Sequence, residues 1–262
     1  MLKSFKKIKR RKLLPMKKQK KNKRAAWFEL LKRVMRLFIK ETKFEYEAEH
    51  IEEPAIILCN HVGTAAPLAW ELYGDVGFRF WGASEMNSGL AALYKYQSRV
   101  FYHEKKGWNL HLSRLFCLIA SPMTYMFYAG LNLISTYQDA RFKHTLTESI
   151  QTLENGQSLV IFPEISDNGY LDVLEGFHKG CVMLAGICYN RGMDIPVYVS
   201  YFRNGDPKRL TVGKRISLRE LFEGGGSRDE VAQLLCDECN RLGSRILSEE
   251  KEQEGEKSVA NG

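Results

Sequence analysis

The chain has 262 residues, 44% of them hydrophobic and 27% charged. That length supports one domain with a substantial core and is too short for two full ones. The formal charge is +8, yet residues 1–24 hold 13 of the 39 Lys and Arg and none of the 31 acids, so residues 25–262 sum to −5. A mildly acidic body without a recognised reading module excludes specific nucleic-acid recognition and leaves only non-specific affinity in the tail.

The basic stretch 1–24 reads as a disordered tail suited to an anionic membrane surface. No apolar run of signal-peptide length follows it, so a secretory signal is not expected. Six cysteines without such a signal point to reduced thiols in a cytosolic compartment. Cys236 and Cys239 lie in a helical pattern with no second pair nearby, which reads as ordinary helix positions. No metal and no bound cofactor is expected.

Residues 25–48 open with AAWFELLKRVMRLFIK. Trp27, Leu31, Val34 and Phe38 recur at helical spacing, and Phe28, Leu30, Met35 and Leu37 widen the face. Lys32, Arg33, Arg36 and Lys40 sit among them. Such a helix suits the membrane interface, with Trp27, Phe28, Lys32 and Arg33 at the surface, and equally suits packing on its own domain.

Residues 49–248 alternate apolar runs with helical patterns. Strands are predicted at 54–59, 78–82, 131–136, 157–162, 195–201 and 209–213, and helices at 67–73, 110–129, 139–154, 176–190 and 227–248. This interleaving predicts an α/β fold with a mixed, largely parallel central sheet flanked by helices. Residues 115–134 hold twenty residues without a charge, the length of a membrane span. Pro122, Gly130 and Asn132 favour a helix ending near 129 and then a buried strand; a monotopic segment dipping into lipid stays open. Residues 249–262 read as a polar, disordered tail.

Asn60 and His61 follow the first buried run, and Phe162, Pro163 and Glu164 end another. In an open α/β sheet, ligands sit beyond the carboxyl ends of the strands. Phe177, Lys179 and Gly180 fall at a helix start, where N–H groups and a lysine can meet an anion. His111, His144 and His178 are assigned no role. Tyr102 to Trp108 mixes aromatics and cations, as a substrate-facing loop or an ordinary surface loop.

The order NHVGTAA, GLNLIST, LENGQSLVIFPE, GFHKG, IPVYVSY over roughly residues 50–245 resembles the glycerolipid acyltransferase family, whose best-known members are the lysophosphatidate acyltransferases. The resemblance implies transfer of an acyl group from acyl-CoA or acyl carrier protein, as co-substrate, to a hydroxyl of a lipid acceptor. It implies a soluble or monotopic domain, and with the basic tail, the amphipathic helix and the reduced cysteines the expected place is the cytoplasmic side of the cell membrane, peripheral or monotopic. His61 would be the general base, Asn60 would support its loop, and Phe162, Pro163, Glu164, Lys179, Gly180 and Arg141 would bind substrate.

The chain departs from the family pattern at three places. Ala66 stands where the family has the aspartate that orients the histidine. The strand before Thr136 lacks its terminal arginine, with Arg141 further on. Ile165, Ser166 and Asp167 replace glycine, threonine and arginine. Two readings follow: an enzyme whose acceptor is not a simple glycerol phosphate, with Glu71 or Glu85 orienting His61, or a catalytically silent lipid-binding module of the same fold. Loss of the arginines and gain of Asp167 would disfavour an anionic head group.

Overall fold

The computed structural model describes residues 18–20, 24–166 and 169–260. Most of the basic tail and Asp167 lie outside the described residues. Seven strands form one sheet: β1 (Thr42–Tyr46), β2 (Ile56–Cys59), β3 (Phe78–Ala83), β4 (Ile134–Thr136), β5 (Ser158–Ile161), β6 (Val197–Arg203) and β7 (Lys208–Val212). Their spatial order is β1-β7-β6-β2-β5-β3-β4. Every pairing is parallel except β6 with β7. The expected α/β class and largely parallel sheet are therefore present.

The central strands explain the parallel order. β2 (IILC) and β5 (SLVI) are buried at all positions, the pattern of strands covered on both faces by crossover helices. One face carries α6 (Phe142–Glu154), α7 (Gly180–Asn190) and α9 (Arg228–Ala260), through residues such as Leu153, Leu184 and Leu242. The other carries α1 (Ala26–Phe38) and α2 (Ala65–Tyr73), through Phe28, Ala66 and Trp70. Between β3 and β4 run α3 (Ser84–Asn87), α4 (Leu90–Lys95), a π-helical segment at Tyr96–Lys105 and α5 (Leu110–Leu131). The short α8 (Leu218–Phe222) precedes α9.

Several boundaries move. α5 runs to Leu131, so β4 begins at Ile134 rather than 131. Asn132 closes the helix in the left-handed conformation, which asparagine tolerates better than most residues. The separate 25–48 region does not stand apart, because β1 joins the sheet beside β7 and Arg209 of β7 reaches Glu45 at 2.7 Å. Part of the expected tail also docks: Gln19 donates to Gly77 O at 3.1 Å. Among the described residues no helix is long and apolar enough to cross a membrane.

Helix α1 settles on the domain through two residues expected at a membrane surface. Phe28 is fully buried and Lys32 nearly so, whereas Trp27 stays exposed and Arg33 lies on the outer side. Phe28 packs on Phe127 of α5 at 5.4 Å between ring centroids. It sits where a Cβ on Gly130 would overlap its ring. Lys32 turns inward to a buried carboxylate, Glu71, at 3.1 Å. The cation is satisfied by an ion pair rather than by lipid head groups.

The Phe28–Gly130 contact yields a first expectation. Gly130→Ala places a methyl group in space the Phe28 ring already fills, and overpacking of this kind costs about 1–3 kcal/mol. Urea denaturation of the two proteins checks it, with a lower midpoint and an unchanged slope expected for the variant.

Candidate active site

Because β2, β5, β3 and β4 run parallel, their carboxyl ends share one edge of the sheet. That edge gathers His61, Glu164, Glu85 and Arg141 from four separate stretches of sequence. His61 follows β2 by two residues. Asn60 fixes this point: its side-chain Oδ1 accepts from Phe202 N at 2.6 Å and its Nδ2 donates to Phe202 O at 3.0 Å. Asn60 thus replaces one step of ladder pairing with β6 and is almost fully buried. Gly63, at φ 57°, then turns the chain into α2 in the left-handed region that favours glycine.

Glu164 approaches from β5. Its Oε2 accepts the backbone N–H of His61 at 2.6 Å. The carboxylate therefore grips the loop and not the imidazole. Its own strand end is held by an antiparallel bridge to Phe177, with His178 N donating to Pro163 O at 2.7 Å and Ile165 N donating to Gly176 O at 3.0 Å. The His61 ring lies between two aromatic side chains. Phe162 meets it edge-on at 5.1 Å, and Tyr170 stacks over it at 5.4 Å with planes 14° apart. The ring is half-buried, with Nδ1 its inner nitrogen.

Burial raises the Glu164 carboxyl to about 6, against the opposing pull of the His61 and Leu171 N–H groups. A carboxyl whose folded value lies above its unfolded one, near 4.3, stabilises the fold fully below that unfolded value. The contribution is lost as pH rises through about 6. The predicted loss is about 2 kcal/mol between pH 4.5 and 7. Denaturant unfolding across that range should show it for the wild type relative to Glu164→Gln, which does not titrate; parallel curves would contradict it.

The two acids expected to orient His61 engage other partners. Glu71 is fully enclosed and binds Arg24 at 2.7 Å and Lys32 at 3.1 Å. Its position near the end of α2 puts it about one and a half turns beyond Ala66, against α1. Glu85 lies in α3 and accepts from the neighbouring Ser84 hydroxyl at 3.3 Å. Ala66 occupies the first turn of α2 and is fully buried.

The cations expected to hold substrate each face a carboxylate. Arg141 clasps Asp139, with Nη2 to Oδ2 at 2.7 Å, and lies over Tyr137 at 4.6 Å. Lys179 pairs with Asp229 on α9. Both pairs are exposed. A groove of about 410 Å³ beside Lys179 is lined also by Glu175, Asp229 and Glu230, an acidic rim for an anion site. Gly180 begins α7 beneath Phe142 and Trp81, and a Cβ there would stand 3.0 Å from the Phe142 ring. Cys236 and Cys239 point into the core of α9.

Three contributors to this edge carried no signal in the sequence: Tyr170 over the imidazole, and Tyr201 and Asn240 beneath its loop. Tyr201 donates its hydroxyl to Asp172 O at 2.9 Å, and Asn240 binds both Leu174 N and Leu174 O, at 2.8 and 3.0 Å. Each acts through contacts between segments far apart in the chain.

No protein-family model matches the chain, and no curated protein does. Among solved structures the fold is similar to that of the 1-acyl-sn-glycerophosphate (LPA) acyltransferase PlsC from Thermotoga maritima, at 16% identity and a TM-score of 0.43. The match covers 84% of this chain and 78% of that one.

Proposed function

We propose that this protein is an acyltransferase that moves a fatty acyl group from an acyl-CoA or acyl-carrier thioester to a hydroxyl of a lipid or glycerolipid acceptor. The reaction takes place at the cytoplasmic surface of a membrane. The observation that carries this reading is the junction of two strand ends about a hundred residues apart. The Glu164 carboxylate holds the His61 main chain at 2.6 Å, and the imidazole packs against Phe162 and Tyr170.

In the proposed reaction the outer nitrogen of His61 takes the proton of the acceptor hydroxyl as its oxygen attacks the thioester carbonyl. The tetrahedral intermediate collapses by breaking the carbon–sulfur bond. The thiolate leaves and receives the proton held by the imidazolium. Tyr170 presents its ring face to that transient cation, an arrangement that favours positive charge. Asn60 keeps the base in place by holding its loop to β6.

The acceptor is proposed to lack a phosphate. At Arg141 and at Lys179 an incoming phosphate would have to displace Asp139 or Asp229. A neutral hydroxyl lipid meets no such competition. Ala66, buried where an orienting carboxylate stands in the family that the sequence resembles, favours the second reading of a lipid-binding module without turnover. Purified protein mixed with acyl-CoA or acyl-carrier donors and vesicles containing either neutral or phosphorylated acceptors separates the two. Thiol release that depends on a neutral acceptor is expected; no release with any donor supports the silent module.

A further inference from the structure

Helix α5 leaves an unusual face open. Leu112, Leu115, Leu118, Ile119, Met123 and Met126 are each more than half exposed, with Ile119 at 73%. Scattered surface leucines are ordinary, but a continuous apolar face along one long helix marks an interaction site. The opposite face of the same helix is buried through Ser113, Cys117 and Ser121. Exposure is therefore a property of one side and not of a loosely packed element.

We infer that this face of α5 docks in an anionic lipid bilayer, lying along the interface rather than crossing it. This goes beyond the proposed reaction and stands on surface chemistry alone. Within residues 90–114 the chain carries Lys95, Arg99, Lys105, Lys106 and Arg114 against a single acid, Glu104, in a body whose net charge from residue 25 onward is −5. A cationic border beside an apolar helix face complements anionic head groups over acyl chains. A second copy of the chain would instead set this positive border against its own image. Trp108, exposed before the amino end of α5, packs on Phe116 at 5.5 Å, a placement suited to the head-group boundary. The face also continues onto α1: Phe28 joins the two helices at Gly130, and Trp27, Leu30 and Val34 remain open beside it.

The test is cosedimentation of the full chain with vesicles of phosphatidylcholine and phosphatidylglycerol in a two-to-one mixture. The triple variant Leu115→Gln, Ile119→Gln, Met123→Gln is expected to bind at least about tenfold more weakly than wild type, with a melting curve no lower because these side chains have little to pack against. Equal binding by the variant overturns the inference. So does an absence of vesicle binding by wild type, or a vesicle-free dimer that the same variant converts to monomer. A protein that binds vesicles yet releases no thiol from any donor leaves this inference standing and removes the proposed reaction.

Discussion

Glu71→Ala is expected to destabilise the protein by about 3–5 kcal/mol, the range for removing one partner from a buried ion pair. The side chains of Arg24, Lys32 and Glu71 are 3%, 7% and 0% exposed. Arg24 donates to both carboxylate oxygens, at 3.1 and 2.7 Å, and to Leu131 O at 2.5 Å. Without the carboxylate two cations would remain enclosed, with the Leu131 carbonyl left to Arg24 and Glu29 at 3.5 Å left to Lys32. Glu71→Gln should cost nearly as much, because it keeps the shape and loses the charge. Urea denaturation gives the value; a loss under about 1 kcal/mol would mean that both cations reach solvent readily and that α1 is held by its other contacts, Phe28 in the core and Arg36 on Leu72 O among them. Replacing all three groups with apolar residues should recover most of the loss, since a buried ionic cluster rarely outperforms good packing.

The second large effect is chemical. His61→Ala is expected to lower the rate of thiol release by 10²–10⁴-fold, the usual contribution of a positioned general base, with stability little changed because the ring is only half-buried. Asn60→Ala should separate placement from chemistry. It leaves the imidazole intact and removes both hydrogen bonds to Phe202. Activity should therefore fall together with stability in that variant, whereas His61→Ala should lower activity alone. An equal fall in the melting point of both would make His61 a structural residue.

The sequence made the sheet legible where strands are buried on both faces. IILC and SLVI are short and largely apolar, with Pro54 just before the first and Pro163 just after the second, so few other structures suit them. The same logic brought Asn60-His61 and Phe162-Pro163-Glu164 to strand ends, and with them the candidate site. Thr42–Tyr46 escaped because TKFEY alternates charge with aromatic character on an edge strand, and its partner β7 lies far along the chain. The segment from Ser84 to Lys105 escaped because small residues, tyrosines and cations give no single period, and the chain winds there as short helices and a π-helical stretch. Phe28 and Lys32 were placed on the wrong side because α1 is apolar over much of its circumference. Periodicity alone could not say which part faces the sheet. Glu71 read as a candidate partner for His61 because nothing in PLAWELY announces the two cations that α1 and the segment before it deliver.

The claim beneath the proposed function is that His61 serves as the base for acyl transfer to a lipid hydroxyl. Its most direct measurement is mass-spectrometric detection of the new ester when the wild-type chain and His61→Ala are given acyl-CoA or acyl-carrier thioester and vesicles containing a neutral hydroxyl lipid. The account predicts an ester formed by the wild type in step with thiol release, and none above background from the variant. Ester formed at the same rate by both proteins, or thiol released with only free fatty acid as product, would contradict it.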